Sequence, residues 1–142
     1  MELRWTDDLS VGNAMIDSGH RELLDVAGSV VHAIETEDCL AFSQAFELFE
    51  KKLLTYSANE EHIAQMVKFP CARYKAAAQH FQRELDLFKQ ELLSRKCQCC
   101  ADAIEHYSGT LKRLLTDHIA EKGKLMKPFL QNFSYDLDRA ES

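Results

Sequence analysis

Residues 42–63, FSQAFELFEKKLLTYSANEEHI, place Phe42, Phe46, Phe49, Leu53, Tyr56, Glu60 and Ile63 at alternating steps of four and three. Side chains at those steps share one face of an α-helix, so the stretch predicts an amphipathic helix with a seam of large apolar groups. Two members of the seam are out of character. Tyr56 carries a hydroxyl and Glu60 a carboxylate, and a carboxylate in a core is costly unless it is paired, hydrogen-bonded or bound to a metal.

The same spacing recurs on either side of this stretch. A first segment carries His20, Leu24, Ala27, Val31 and Ile34, and a third carries Tyr74, Ala78, Phe81, Leu85, Phe88 and Leu92. A fourth runs through Ile104, Tyr107, Leu111, Leu114, His118 and Leu125. Four amphipathic helices with short connections predict an all-α fold, an antiparallel up-down-up-down four-helix bundle. The chain is expected to be one domain over 1–142, with an irregular N-terminal arm over 1–16 and a tail over 129–142. Phe129, Leu130 and Phe133 are expected to dock on the bundle. Asp17 or Ser18 is placed to cap the first helix, and Pro70 suits the first turn of the third.

Composition agrees. The 142 residues include five Gly, two Pro and 46% hydrophobic residues, which suits helix throughout and a single core. A net charge of −6 and a pI near 5.5 argue against nucleic acid or an anionic membrane surface as partner. No stretch approaches the roughly 20 apolar residues of a membrane span. The opening MELRWTDDLS lacks the basic-then-apolar order of a secretory signal, so the cytoplasm is the expected location and the five cysteines are expected to be thiols.

The inward faces also hold polar groups, namely His20, Tyr56, Glu60, Tyr74 and His118. Bundle interiors are where carboxylate and histidine metal sites are built, so these five are the candidate metal ligands. The competing reading is a hydrogen-bonded polar cluster around Glu60. His62 and His80 fall off the seams, and His32 and His106 receive no role. The acidic residues Glu84 and Asp86 are expected to be solvated. Cys97, Cys99 and Cys100 sit in the connection after the third helix, and Cys39 follows the first. These four thiols share one end of an up-down bundle, as a zinc or redox site or simply as surface thiols. Cys71 opens the third helix.

The opening WTDDLSVGNAMIDSGH, residues 5–20, and the later DHIAEKGKLM, residues 117–126, resemble bacteriohemerythrins, helical bundles that bind dioxygen on two irons. The resemblance runs from Trp5 to about Leu130. That family places one histidine on its first helix, then His-x-x-x-Glu, His-x-x-x-His and His-x-x-x-x-Asp. His20 matches the first, preceded by Ile16 and Asp17. In the second motif Glu60 keeps the place of the bridging carboxylate while Tyr56 stands where a histidine is expected. The third falls on Tyr74 and Ala78, on Lys75 and Gln79, or on Ala76 and His80, and in none of these registers are both histidines present. The last keeps His118, but Gly123 occupies the aspartate position.

Only His20, Glu60 and His118 therefore survive from the ligand set that the resemblance implies. Three expectations follow. The first is a metal-free bundle whose pocket has been refilled, with Lys75 as the candidate source of the positive charge the iron would supply. The second is a single metal ion, iron first, on His20, Glu60, His118 and one or both tyrosines. The third is a di-iron dioxygen binder. The function expected is non-enzymatic, as a binding, sensing or interaction protein. A protein partner is the candidate ligand, or a small ligand such as dioxygen if a metal is bound. Nothing in the chain forms a convincing nucleophile–base pair.

Overall fold

The computed structural model describes residues 3–95 and 101–137. A short 3₁₀ turn at Asp7–Leu9 lies in the arm. Four long helices follow, α1 (Ala14–Glu35), α2 (Cys39–Met66), α3 (Cys71–Ser94) and α4 (Ala101–Leu130). No strand occurs among the described residues. Each helix packs on its sequence neighbours and α4 closes the ring against α1, the arrangement of an up-down-up-down bundle. No described helix is long and apolar enough to cross a membrane.

The termini of the helices explain the topology. Helix α1 starts at Ala14, earlier than the arm boundary at residue 16 implied. Its cap is Asn13, whose side chain accepts from the Ile16 amide, rather than Asp17 or Ser18. Asp17 is fully buried instead, and its carboxylate accepts from the Val11 amide, the Ser10 hydroxyl and the Tyr135 hydroxyl. Pro70 is the N-cap residue of α3, just outside the helix, and α2 is capped by Asp38.

Helices α1 and α2 end in the same motif. After α1, the amides of Glu37 and Asp38 bond back to the carbonyls of Ile34 and Ala33. After α2, those of Lys68 and Phe69 bond back to Gln65 and Ala64. These are Schellman turns, and they hold Glu37 and Lys68 at φ of 54° and 60°, a region glycine usually fills. The turns reverse the chain in residues 36–38 and 67–70.

Helix α4 runs through Pro128 to Leu130, so the expected tail begins two residues late. Leu130 is buried, Phe129 meets Phe69 edge-on at 5.1 Å, and Phe133 is exposed. Residues 131–137 fold back on the start of α1. There the Tyr135 carbonyl accepts from the Ala14 amide and the Leu137 carbonyl accepts from the Asn13 side chain.

The α1 and α2 seams are buried along their whole length. The fourth seam is not. The core face of α4 carries Tyr107, Leu111, Leu115, Ile119, Lys122 and Met126, whereas Ile104, Leu114, His118 and Leu125 are only half-buried. The reason is tertiary. Helix α4 leans on α1 more extensively than on α3, so its buried face is rotated by about one residue from the seam the spacing picks out. Helix α3 is fastened to its neighbours by Lys89–Glu50 at 3.0 Å and by Tyr107–Glu91 at 2.7 Å, both in its second half. Crevices open beside its first half.

Candidate functional site

Toward the end of the bundle where α1 and α3 begin, the polar seam residues meet. His20 comes from α1, Tyr56 and Glu60 from successive turns of α2, Tyr74 from α3, and His118 and Lys122 from successive turns of α4. Tyr56 is admitted by a glycine across the interface. A Cβ on Gly19 would lie 2.6 Å from the Tyr56 ring, closer than real contacts allow.

The Tyr56 hydroxyl donates to Glu60 Oε2 in a short hydrogen bond. It sits 2.6 Å from His20 Nε2. Because the phenol has one proton and gives it to Glu60, His20 Nε2 must be the donor to Tyr56. That leaves Nδ1 of His20 as a bare nitrogen, buried and without a partner. His20 and Glu60 themselves stand 4.0 Å apart, bridged by the tyrosine. The second carboxylate oxygen, Oε1, receives Lys122 Nζ at 3.0 Å.

Two more groups close the cluster. Lys122 Nζ lies 4.4 Å above the Tyr74 ring, a cation–π contact, and the Tyr74 hydroxyl donates to the Ser57 carbonyl at 2.9 Å. The His118 ring stacks on Phe81 at 3.9 Å, and its Nε2 has no hydrogen-bond partner.

Burial decides the protonation states. It lowers His20 to about 3, with the Lys122 charge adding to the effect, and it lowers His118 well below the ordinary value for the same two reasons together with His20. Both rings are therefore neutral at physiological pH. Burial pushes the Tyr56 phenol far up, reinforced by Glu60, and raises Tyr74 in the same way. For Glu60 burial raises the carboxyl while Lys122 and the tyrosine hydroxyls pull it back. The ammonium of Lys122 is the positive charge facing this carboxylate.

The sequence-expected residues are thus partly gathered. His20, Tyr56 and Glu60 form one hydrogen-bonded chain. Tyr74 also acts on Glu60 while its hydroxyl donates to the Ser57 carbonyl, and His118 borders the chain through edge-on ring contacts with His20 and Tyr56. Among the three registers of α3, Tyr74 and Ala78 face inward, while Lys75, Gln79, Ala76 and His80 are exposed. Lys75 is therefore not the charge in the pocket. Lys122 is, one turn after His118, a position the sequence offered at helical spacing but which looked like one charge among many. Gly123 faces the arm, with Val11 at 3.9 Å from the position of its missing Cβ.

No family profile, curated protein or solved structure matches this chain. The donors themselves decide what the site can hold. Two irons need several bare lone pairs and negative bridges. Here the carboxylate is held by an ammonium and a phenol, and the phenol keeps its proton. No three His, Cys, Asp or Glu side chains among the described residues are placed to hold a common metal ion. The donor set does not fit the two-iron centre that the resemblance implies.

Cys97, Cys99 and Cys100 are outside the described residues, and Cys39 is the half-buried first residue of α2. His32, His62 and His106 are exposed. Asp86 is exposed too, but Glu84 is half-buried and faces α4 across a crevice.

Proposed function

We propose that this chain is a hemerythrin-like bundle whose interior metal site has been refilled by its own side chains, and that it acts without enzymatic turnover, as a binding, sensing or interaction protein. The observation that carries this reading is the Lys122–Glu60 pair. An ammonium at 3.0 Å from the retained carboxylate supplies, inside the fold, the positive charge that irons would otherwise supply. Tyr56 adds volume and a donor where a metal-ligating histidine would offer a lone pair. A buried carboxylate satisfied in this way needs no metal to remain inside the bundle.

The test is metal analysis of protein purified without added metal, followed by anaerobic reconstitution with ferrous iron and exposure to air. The expected result is no stoichiometric metal and no visible absorption band. Two irons per chain with an oxo-bridged spectrum would overturn the proposal.

A second reading keeps a single metal ion, iron first, on the His20, Tyr56, Glu60, Tyr74 and His118 set. It is favoured by the two unpartnered ring nitrogens, on imidazoles whose centroids lie 6.5 Å apart. It requires Lys122 to leave Glu60. One bound metal that is lost in Glu60→Gln would select it.

A further inference from the structure

Between the first half of α3 and the middle of α4 lies a crevice of about 550 Å³. That volume is within the range of small-molecule sites, roughly 300–1,000 Å³. Its inner wall is apolar, made by Phe81, Leu114 and Leu125. Its mouth is acidic. Glu84 approaches from α3, and Asp117 and Glu121, one helical turn apart, approach from α4.

None of these three carboxylates is in an ion pair with a described residue. Lys122 also reaches the crevice, but its charge is engaged with Glu60. The His118 ring, which borders the same space, is held neutral and has an unpartnered Nε2, so it brings no positive charge to oppose a cation. The exposed His80 imidazole is the remaining ionisable group of the lining, and three carboxylates outnumber it, so the rim is acidic on balance. No three of the acidic and imidazole groups are placed to share one metal ion, so the charge is too spread for a bare divalent cation. An apolar wall beside a spread negative rim matches a different ligand.

We infer that this crevice binds a small organic cation, an ammonium group carried on an apolar body of about one aromatic ring. The ammonium lies among Glu84, Asp117 and Glu121, and the body rests on Phe81, Leu114 and Leu125. The inference goes beyond the refilled-core proposal and does not depend on it, because it requires the crevice and its rim rather than any particular state of Glu60. Metal content reports on the core, and ligand binding reports on the crevice.

The test titrates 2-phenylethylammonium chloride into the ¹⁵N-labelled full chain and follows amide shifts, with 2-phenylethanol and 3-phenylpropionate as neutral and anionic controls. The expected result is saturable binding with a Kd of about 0.1–1 mM, the range open to a ligand of this size in a partly open site. The shifts should concentrate in residues 77–84 and 114–125. Both controls should bind at least about tenfold more weakly, because the rim charge does not favour them.

The combined variant Glu84→Gln, Asp117→Asn and Glu121→Gln should lose about tenfold or more of the affinity for the cation. Its fold should persist, since Asp117 and Glu121 are exposed and Glu84 is only half-buried. Should it not fold, Ala77→Phe, which fills the crevice from α3, must abolish binding by itself. Equal binding of 2-phenylethanol, shifts centred elsewhere, or no shift at about 10 mM amine, well above the affinity expected here, would overturn the inference. So would manganese(II) alone broadening these same resonances with no competition from the amine.

Discussion

Lys122 Nζ and Glu60 Oε1 are 3.0 Å apart, and the two side chains are only 4% and 1% exposed. A pair this deep gains little over a well-packed apolar pair, but breaking it strands a charge. Lys122→Met should therefore destabilise the protein by about 3–5 kcal/mol at neutral pH. Adding Glu60→Gln should return most of that loss, because the amide needs no counter-charge and still accepts from Tyr56. Urea unfolding of the two single variants and the double closes the cycle. Equal losses that simply add would show that the two groups do not depend on each other.

Gly19 and Tyr56 make a second dependent pair, through contact rather than charge. A methyl on Gly19 would meet the tyrosine ring at 2.6 Å. Alanine in a helix interior is otherwise worth up to about 1 kcal/mol over glycine. The clash should outweigh it, leaving Gly19→Ala net destabilising by about 1–3 kcal/mol. In a Tyr56→Leu background the same substitution should become neutral or stabilising. A stabilising effect in the unaltered protein would mean that Tyr56 can swing aside freely, which its hydrogen bonds to His20 and Glu60 oppose.

These two pairs show which parts of the molecule can be recognised in the sequence. The α2 seam from Phe42 to Ile63 is buried at every position named, because that helix packs most extensively on α1 and the face it turns there is the one its own spacing picks out. The α4 seam fails, because its orientation depends on how closely α3 approaches, and spacing alone is compatible with a face through Leu114 or one through Leu115. Lys122 is hidden in the sequence for the same reason. A lysine at an inward position reads as solvated until its partner across the bundle is known. Among the ends, the sequence points to Asp17 rather than Asn13 as the cap, but the Asp17 carboxylate is taken by the arm and by Tyr135. The turns at Glu37 and Lys68 carry no glycine to announce them.

Those glycine-free turns allow a separate forecast. Lys68 is exposed and sits at φ 60°, where a side chain is penalised and glycine is not. Lys68→Gly keeps the two amide bonds of the Schellman turn and relieves that strain. It should stabilise the protein by about 0.5–1 kcal/mol, raising Tm by roughly 2–4 °C. The same change at Gln65, inside the last turn of α2, should instead lower Tm, which controls for a general effect of glycine on the loop.

The neutral imidazoles of the core set the response to acid. His20 is lowered from 6.5 to about 3, and His118 is lowered well below the same ordinary value, so the unfolded chain takes up these protons while the folded one does not. The stability tied to them is complete above pH 6.5 and is lost as the pH falls toward 3. Each ring can contribute a slope of up to about 1.4 kcal/mol per pH unit in that window. Glu60 acts in the opposite direction. Its carboxyl is raised above 4.5, so the folded chain holds that proton more readily and gains on acidification. Two imidazoles against one carboxyl leave a net loss of stability below about pH 6. Urea midpoints at about pH 7, 6 and 5 should therefore fall, and His118→Phe, which keeps a ring on Phe81, should flatten the decline by one imidazole's share. Midpoints that hold constant over this range would show that His20 and His118 take up protons inside the fold as readily as in the unfolded chain. Lys122 could not then be the cation that balances Glu60 alone.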